Sequence, residues 1–144
     1  MPAAEKRWTN LTTRSSFRPY CKERNHMKKF VAIFLGSAAG EKRKAWDAMD
    51  EKARQSKQQE GGKAWHNWIE KNQKSIVELG SPLGKTKKVS GKGVETITNL
   101  MTAFTVVQAE THDEAAKLFL NHPHFSIFPG DSIEIMECLP IPGQ

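Results

Sequence analysis

The apolar residues of this chain are bunched, and the spacing inside each bunch predicts an element. Phe30-Val31-Ala32-Ile33-Phe34-Leu35 is a nearly continuous apolar run closed by Gly36. It predicts a central strand buried on both faces. From Glu41 to about Gln59, Trp46, Met49 and Ala53 recur at helical spacing among charged and amide residues, the stripe of an amphipathic helix. Gly61-Gly62 is expected to break that helix, and Trp65, Trp68 and Ile69 then mark one face of a second, shorter one.

Ser75 to Leu79 is a brief apolar-rich strand ending at Gly80, and residues 81–98 read as loop. Asn99 to Glu110, dense in Thr, Val, Phe and Ala, predicts the longest strand. Thr111 and Glu114 form a capping box, in which the Thr oxygen accepts from the backbone N–H three residues on. Ala115, Leu118 and Phe119 follow on one helical face, and Pro123 is expected to stop that helix. From Ser132 to Cys138, Ile133 and Ile135 alternate with polar positions, a half-buried last strand.

The order β-α(α)-β-β-α-β is the split βαβ, or ferredoxin-like, arrangement of an α+β domain. Its antiparallel sheet carries helices on one face. The other face needs cover, so a dimeric α/β barrel and a homodimer are expected.

The first residues fall outside this pattern. Residues 1–26 show no helical or strand period and are rich in Arg, Thr, Ser and Asn. A disordered basic tail is expected there, with the domain over 27–144. Met27-Lys28-Lys29 leads straight into the first strand, which favours a start at Met27 with upstream sequence before it. A functional basic arm and an organelle transit peptide are the competing readings. Lys6, Arg7, Arg14, Arg18, Lys22 and Arg24 against Glu5 and Glu23 place +4 of the chain's +6 in this tail. The domain itself is therefore close to neutral, which counts against nucleic-acid binding. With 38% hydrophobic and 26% charged residues the composition is that of a soluble globular domain. No apolar run approaches the roughly 18 residues of a membrane span. Cys21 and Cys138 are far apart and lack zinc spacing. They read as free thiols in a cytoplasmic protein.

Gly80-Ser81-Pro82-Leu83-Gly84-Lys85-Thr86 has the flavour of a phosphate loop. Only three residues separate the glycines and no helix start follows, so a turn after a strand is the better reading. The lysines from Lys85 to Lys92 have no aromatic residues between them on which bases could stack. Ser15, Ser81 and Ser126 lack the G-x-S-x-G setting of a nucleophile. The most distinctive cluster is Asn121-His122-Pro123-His124-Phe125. A helix-ending turn ranks first there, ligand binding by the two imidazoles second, and metal binding third. No third ligand is well placed, so no metal and no cofactor are expected. Trp46, Trp65 and Trp68 read as core first and as walls of a pocket second. His66 reads as surface or pocket rim.

Five segments in order carry a resemblance: MKKFVAIFLG, WHNW, ELGSPL, TAFTVVQAETHDEAAKLFLNHPHF and GDSIEIMECLPI. Together, from about Met27 to Pro142, they resemble the YCII-related family. The resemblance implies a ferredoxin-like dimeric α/β barrel. In the best-studied branch a His early in the first helix and an Asp after the second strand form a catalytic pair. Neither position is filled by those residue types here, so no catalytic residue carries over. The pocket walls expected from this reading are Trp65, Trp68, Ser81, Leu83, His122 and His124. A small-molecule binding or accessory role follows. An enzyme acting on a small aromatic or lactone-like compound through a His acid/base is the alternative, and nucleic-acid binding through the tail and Lys loop ranks last.

Overall fold

The computed structural model describes residues 26–143. The tail read over residues 1–26 therefore lies, but for His26, outside the described residues, as does Cys21. The elements are β1 (Lys28–Leu35), α1 (Glu41–Ala48), α2 (Glu51–Lys71), β2 (Ile76–Pro82), β3 (Thr86–Ser90), β4 (Gly93–Ile97), β5 (Met101–Ala109), α3 (His112–Lys117), α4 (Pro123–Ser126) and β6 (Ser132–Glu137). The main sheet has the order β2-β5-β1-β6, and every neighbouring pair is antiparallel. With β3 and β4 set aside as an inserted hairpin, this is the ferredoxin-like α+β fold.

The strand β1 sits at the centre because its sequence suits burial on two sides. Phe30, Ala32 and Phe34 point to the helices and are fully buried. They pack with Trp68, Val107, Ala109, Ala115 and Phe119 into one core. On the opposite face Val31 and Ile33 lie beside Val106 and Phe104 of β5, and Val31 beside Met136 of β6. Among the described residues no helix covers that face, and it is half-exposed.

Four local features differ from the reading of the sequence. The helical region breaks at Met49-Asp50, not at Gly61-Gly62. Asp50 caps α2 by accepting from Ala53 N at 2.7 Å, and the helix then runs through both glycines. Gly61 is buried where α2 crosses Phe128, and a Cβ there would sit 2.5 Å from the ring. The missing side chain makes room for a close approach, which offsets the roughly 1 kcal/mol that glycine costs in a helix interior.

Residues 86–97 are not loop but the hairpin of β3 and β4. Its ladder pairs Val89 with Val94 and Lys88 with Glu95, and Gly93 takes φ 110° at the turn. Neither face is buried, so no alternation of apolar and polar residues announced it. Pro123 does not stop the preceding helix. Helix α3 ends at Lys117, and Pro123 starts α4 in the first-turn position that suits its missing N–H. Cys138, expected to be at least half-buried in the last strand, lies just past β6 and is exposed.

The capping box is present in its first half: Thr111 Oγ1 accepts from Glu114 N at 3.1 Å. Gly80, the first glycine of the phosphate-loop-like stretch, has φ 75°. A Cβ there would collide with the Phe104 carbonyl of the adjoining strand. That glycine serves the bulged pairing of β2 on β5, a structural demand that accounts for it without a phosphate.

Candidate functional site

The site begins with one side chain of β1. Phe34 is fully buried at the end of the strand and four rings close on it. Trp65 of α2 stacks on it with centroids 5.5 Å apart and planes 17° from parallel. His122 and His124 each meet it edge-on at 5.2 Å, and Phe119 does so at 6.1 Å. Helix α2 supplies Trp65 and Trp68 from adjacent turns of one face. The turn into α4 supplies both imidazoles, His122 as the N-cap and His124 from the first turn of the helix.

That turn is sharp. Asn121 adopts φ 57°, a left-handed conformation that Asn tolerates better than most residues. The next residue, His122, then caps α4: its Nδ1 accepts from the backbone N–H of His124 at 3.0 Å. An imidazole that accepts at Nδ1 carries its proton on Nε2. His122 Nε2 is buried and has no hydrogen-bond partner among the described residues. The ring instead lies edge-on to Trp65 at 4.6 Å and to Trp68 at 4.7 Å, inside a box of aromatic faces. Burial there pushes its pKa from the ordinary 6.5 down to about 3, with repulsion from His124 a second cause.

His124 is held differently. Its Nε2–H donates to the carbonyl of Leu35, the last residue of β1, at 2.8 Å. That fixes the tautomer and leaves Nδ1 as the lone-pair nitrogen. Burial lowers its pKa as well, opposed by the Leu35 carbonyl and by Asp131, and reinforced by Lys42. The two flanking charges are themselves engaged. Lys42 Nζ donates to the carbonyls of Phe125 at 2.9 Å and Gly130 at 3.3 Å. Asp131 Oδ2 accepts from Ser37 N at 2.8 Å. Gly130 is tight against the His124 ring, and any Cβ there would clash with it.

His124 faces two cavities. An inner one of about 340 Å³ lies between α2 and the sheet, walled by Trp65, Ile69 and Ala103, with Ser81, Thr102, Thr105 and His124 as polar groups. An outer one of about 700 Å³ lies over the turn from β1 to α1 and is bounded by Ser37, Arg43, Asn99, Leu100 and Pro129. Thr102 and His124 line both.

The residues expected to wall a pocket thus divide. Trp65, Ser81 and His124 line the inner cavity. Trp68 lies behind it in the core, its indole N–H donating to Leu118 O at 2.7 Å. His122 is fully buried beside Trp68 and lines neither of these two cavities. Leu83 is 42% exposed and lines neither. His66 pairs with Glu70 at 3.2 Å on the solvent side of α2. Arg43 and Thr102 were not singled out in the sequence. A lone Arg on a charged helix face and one Thr of a long strand give no local sign of lining a cavity. Among the described residues no three His, Cys, Asp or Glu side chains cluster closely enough to hold a metal ion.

Fold and cleft define a ferredoxin-like α+β domain with a partly apolar cavity between helix and sheet and a neutral imidazole at its wall. No family model matches the chain, and no curated protein matches it. Among solved structures it is similar to 5-chloro-2-hydroxyhydroquinone dehydrochlorinase (TftG) from Burkholderia phenoliruptrix AC1100, in complex with 2,5-dihydroxybenzoquinone. The identity is 17%, over 74% of this chain and 89% of that one, with a TM-score of 0.43. A likeness of that extent assigns no chemistry to this chain.

The buried imidazoles set a pH dependence. Unfolded, His122 takes up a proton near pH 6.5; folded, only near pH 3. Between those values the unfolded state binds more protons, so stability is complete above pH 6.5 and is lost as the pH falls toward 3. In His122→Asn the amide oxygen can still cap α4 but nothing titrates. This variant is expected to be less stable at pH 7, having lost its ring contacts. Its stability should fall less steeply between pH 6 and 4, by up to about 1.4 kcal/mol per pH unit. Urea unfolding across that range measures both slopes, and parallel curves would contradict the assignment.

Proposed function

We propose that this protein binds a small, largely apolar molecule in the inner cavity, with His124 against the ligand. The observation that carries this reading is the make-up of the cavity itself. Its volume, about 340 Å³, falls within the ordinary range of ligand sites, and its apolar walls with a few convergent polar groups have the composition of one. The order of elements and the HPH turn agree with a YCII-like domain, and this proposal includes that reading.

A second reading has its own support. His124 presents a lone pair at Nδ1 while its N–H is anchored to a backbone carbonyl, the arrangement a general base needs. On this reading the protein is an enzyme that removes a proton from a small ring compound, with His124 as the base. His122 takes no direct part, since its ring is sealed in the core.

We also infer that two copies pair through the bare sheet face. Val31, Ile33, Phe104, Val106 and Met136 make an apolar surface opposite the helices, and a two-fold axis would bury the same patch twice. Ile33→Glu is expected to convert the dimer to a monomer of unchanged helix content in analytical ultracentrifugation. A monomeric parent chain at about 100 μM would end the dimer proposal.

For the cavity, Ala103→Trp places an indole in the space a ligand would take. Single-ring fragments that bind the parent chain, detected by saturation-transfer NMR, should lose binding at least tenfold in this variant. Fragments that bind both chains equally would show that they sit elsewhere, and the inner cavity would no longer be the site. If turnover of a bound fragment is found, His124→Asn should abolish it and leave binding within a few fold.

A further inference from the structure

The outer cavity and the inner one have Thr102 and His124 as common walls, so a ligand whose ring fills the inner cavity lies next to the outer one. The two are lined by different chemistry. Arg43 is the only charged side chain on the outer wall among the described residues, and the Asn99 amide stands with it. We propose that the outer cavity seats a carboxylate on the ligand, held by Arg43, so that the ligand class is a single-ring aromatic acid. This rests on the reading of the inner cavity as a small-molecule site.

Three observations lead there. First, the Arg43 guanidinium is available. Its described partner is Asp47 at 3.3 Å, one turn along α1, and both side chains are about half exposed. Exposed pairs at this spacing hold weakly, and a guanidinium fork is better matched by a carboxylate delivered in its plane. Second, the other charges around the cleft are already engaged. Lys42 is tied to the Phe125 and Gly130 carbonyls, and Asp131 takes the Ser37 N–H. Third, His124, on the shared wall, is kept toward its neutral form by burial. It adds no positive charge, so recognition of an anion falls to Arg43. One cation suits a monoanion such as a carboxylate better than a doubly charged phosphate.

The geometry also orders the ligand. Ring and carboxylate lie in different cavities, and the atoms between them pass His124. A carbon next to the ring or to the carboxylate would sit beside the His124 imidazole.

The test uses the full chain with 3-phenylpropionate and its amide, titrated calorimetrically against the parent protein and Arg43→Gln. The acid is expected to bind about tenfold more tightly than the amide, the worth of one charge-assisted contact. In Arg43→Gln that advantage should vanish while the amide binds as before, which also reports that the cavity is intact. High salt should weaken the acid and not the amide. Equal binding of acid and amide, or an acid preference that survives Arg43→Gln, would overturn the proposal and leave the inner cavity standing as a site. Failure of both compounds to bind the parent chain would instead overturn the inner cavity as a single-ring site, and this inference with it.

Discussion

The ring of Phe34 is the contact on which the rest of the cleft depends. It is buried at the C-terminal end of the central strand and touches α2 through Trp65, α3's end through Phe119, and the α4 turn through both imidazoles. Rings packed this closely cannot accommodate a charge without a partner, because an imidazolium among aromatic side chains loses its hydration. The packing therefore favours neutral imidazoles. The turn provides for them in two ways. One imidazole takes a backbone N–H and caps a helix. The other gives its N–H to the end of β1. The same ring contacts thus set the core and the protonation state of the group that lines the cavity.

The strand order places that group where chemistry is accessible. Because β1 is central and β5 lies beside it, the end of β1 and the start of β5 open together at one edge of the helix layer. Leu35 anchors His124, Thr102 donates to the carbonyl of Phe34 at 3.0 Å, and the turn from β1 into α1 brings Arg43 over the opening. A single-ring ligand there would meet apolar walls, an imidazole and, over the outer cavity, one cation.

Much of this was legible along the chain, and the rest was not for physical reasons. The apolar run at 30–35 and the alternation at 132–138 identify their strands because burial on two faces or one dictates those periods. The T-x-x-E box announces α3 because its hydrogen bond is local. The two glycines of α2 point to a break only until Phe128, 67 residues on from Gly61, is known to pack on the first of them. The hairpin of β3 and β4 has no buried face and so no hydrophobic rhythm. His122 and His124 stand out as a pair. Yet their different roles depend on Leu35, Trp65 and Trp68, which are distant in sequence. Arg43 is one basic residue among several in α1, and nothing local separates it from its neighbours.

The state of the two imidazoles is the claim closest to direct measurement. Long-range proton–nitrogen correlation on protein labelled with ¹⁵N-histidine reads protonation at each ring nitrogen. At pH 7 the account predicts that His122 and His124 are both neutral, each with its proton on Nε2 and a bare Nδ1. It further predicts that His122 in folded protein keeps this state until the pH approaches 3. A proton on Nδ1 of His124, or a doubly protonated His122 in folded protein at pH 6, would contradict it.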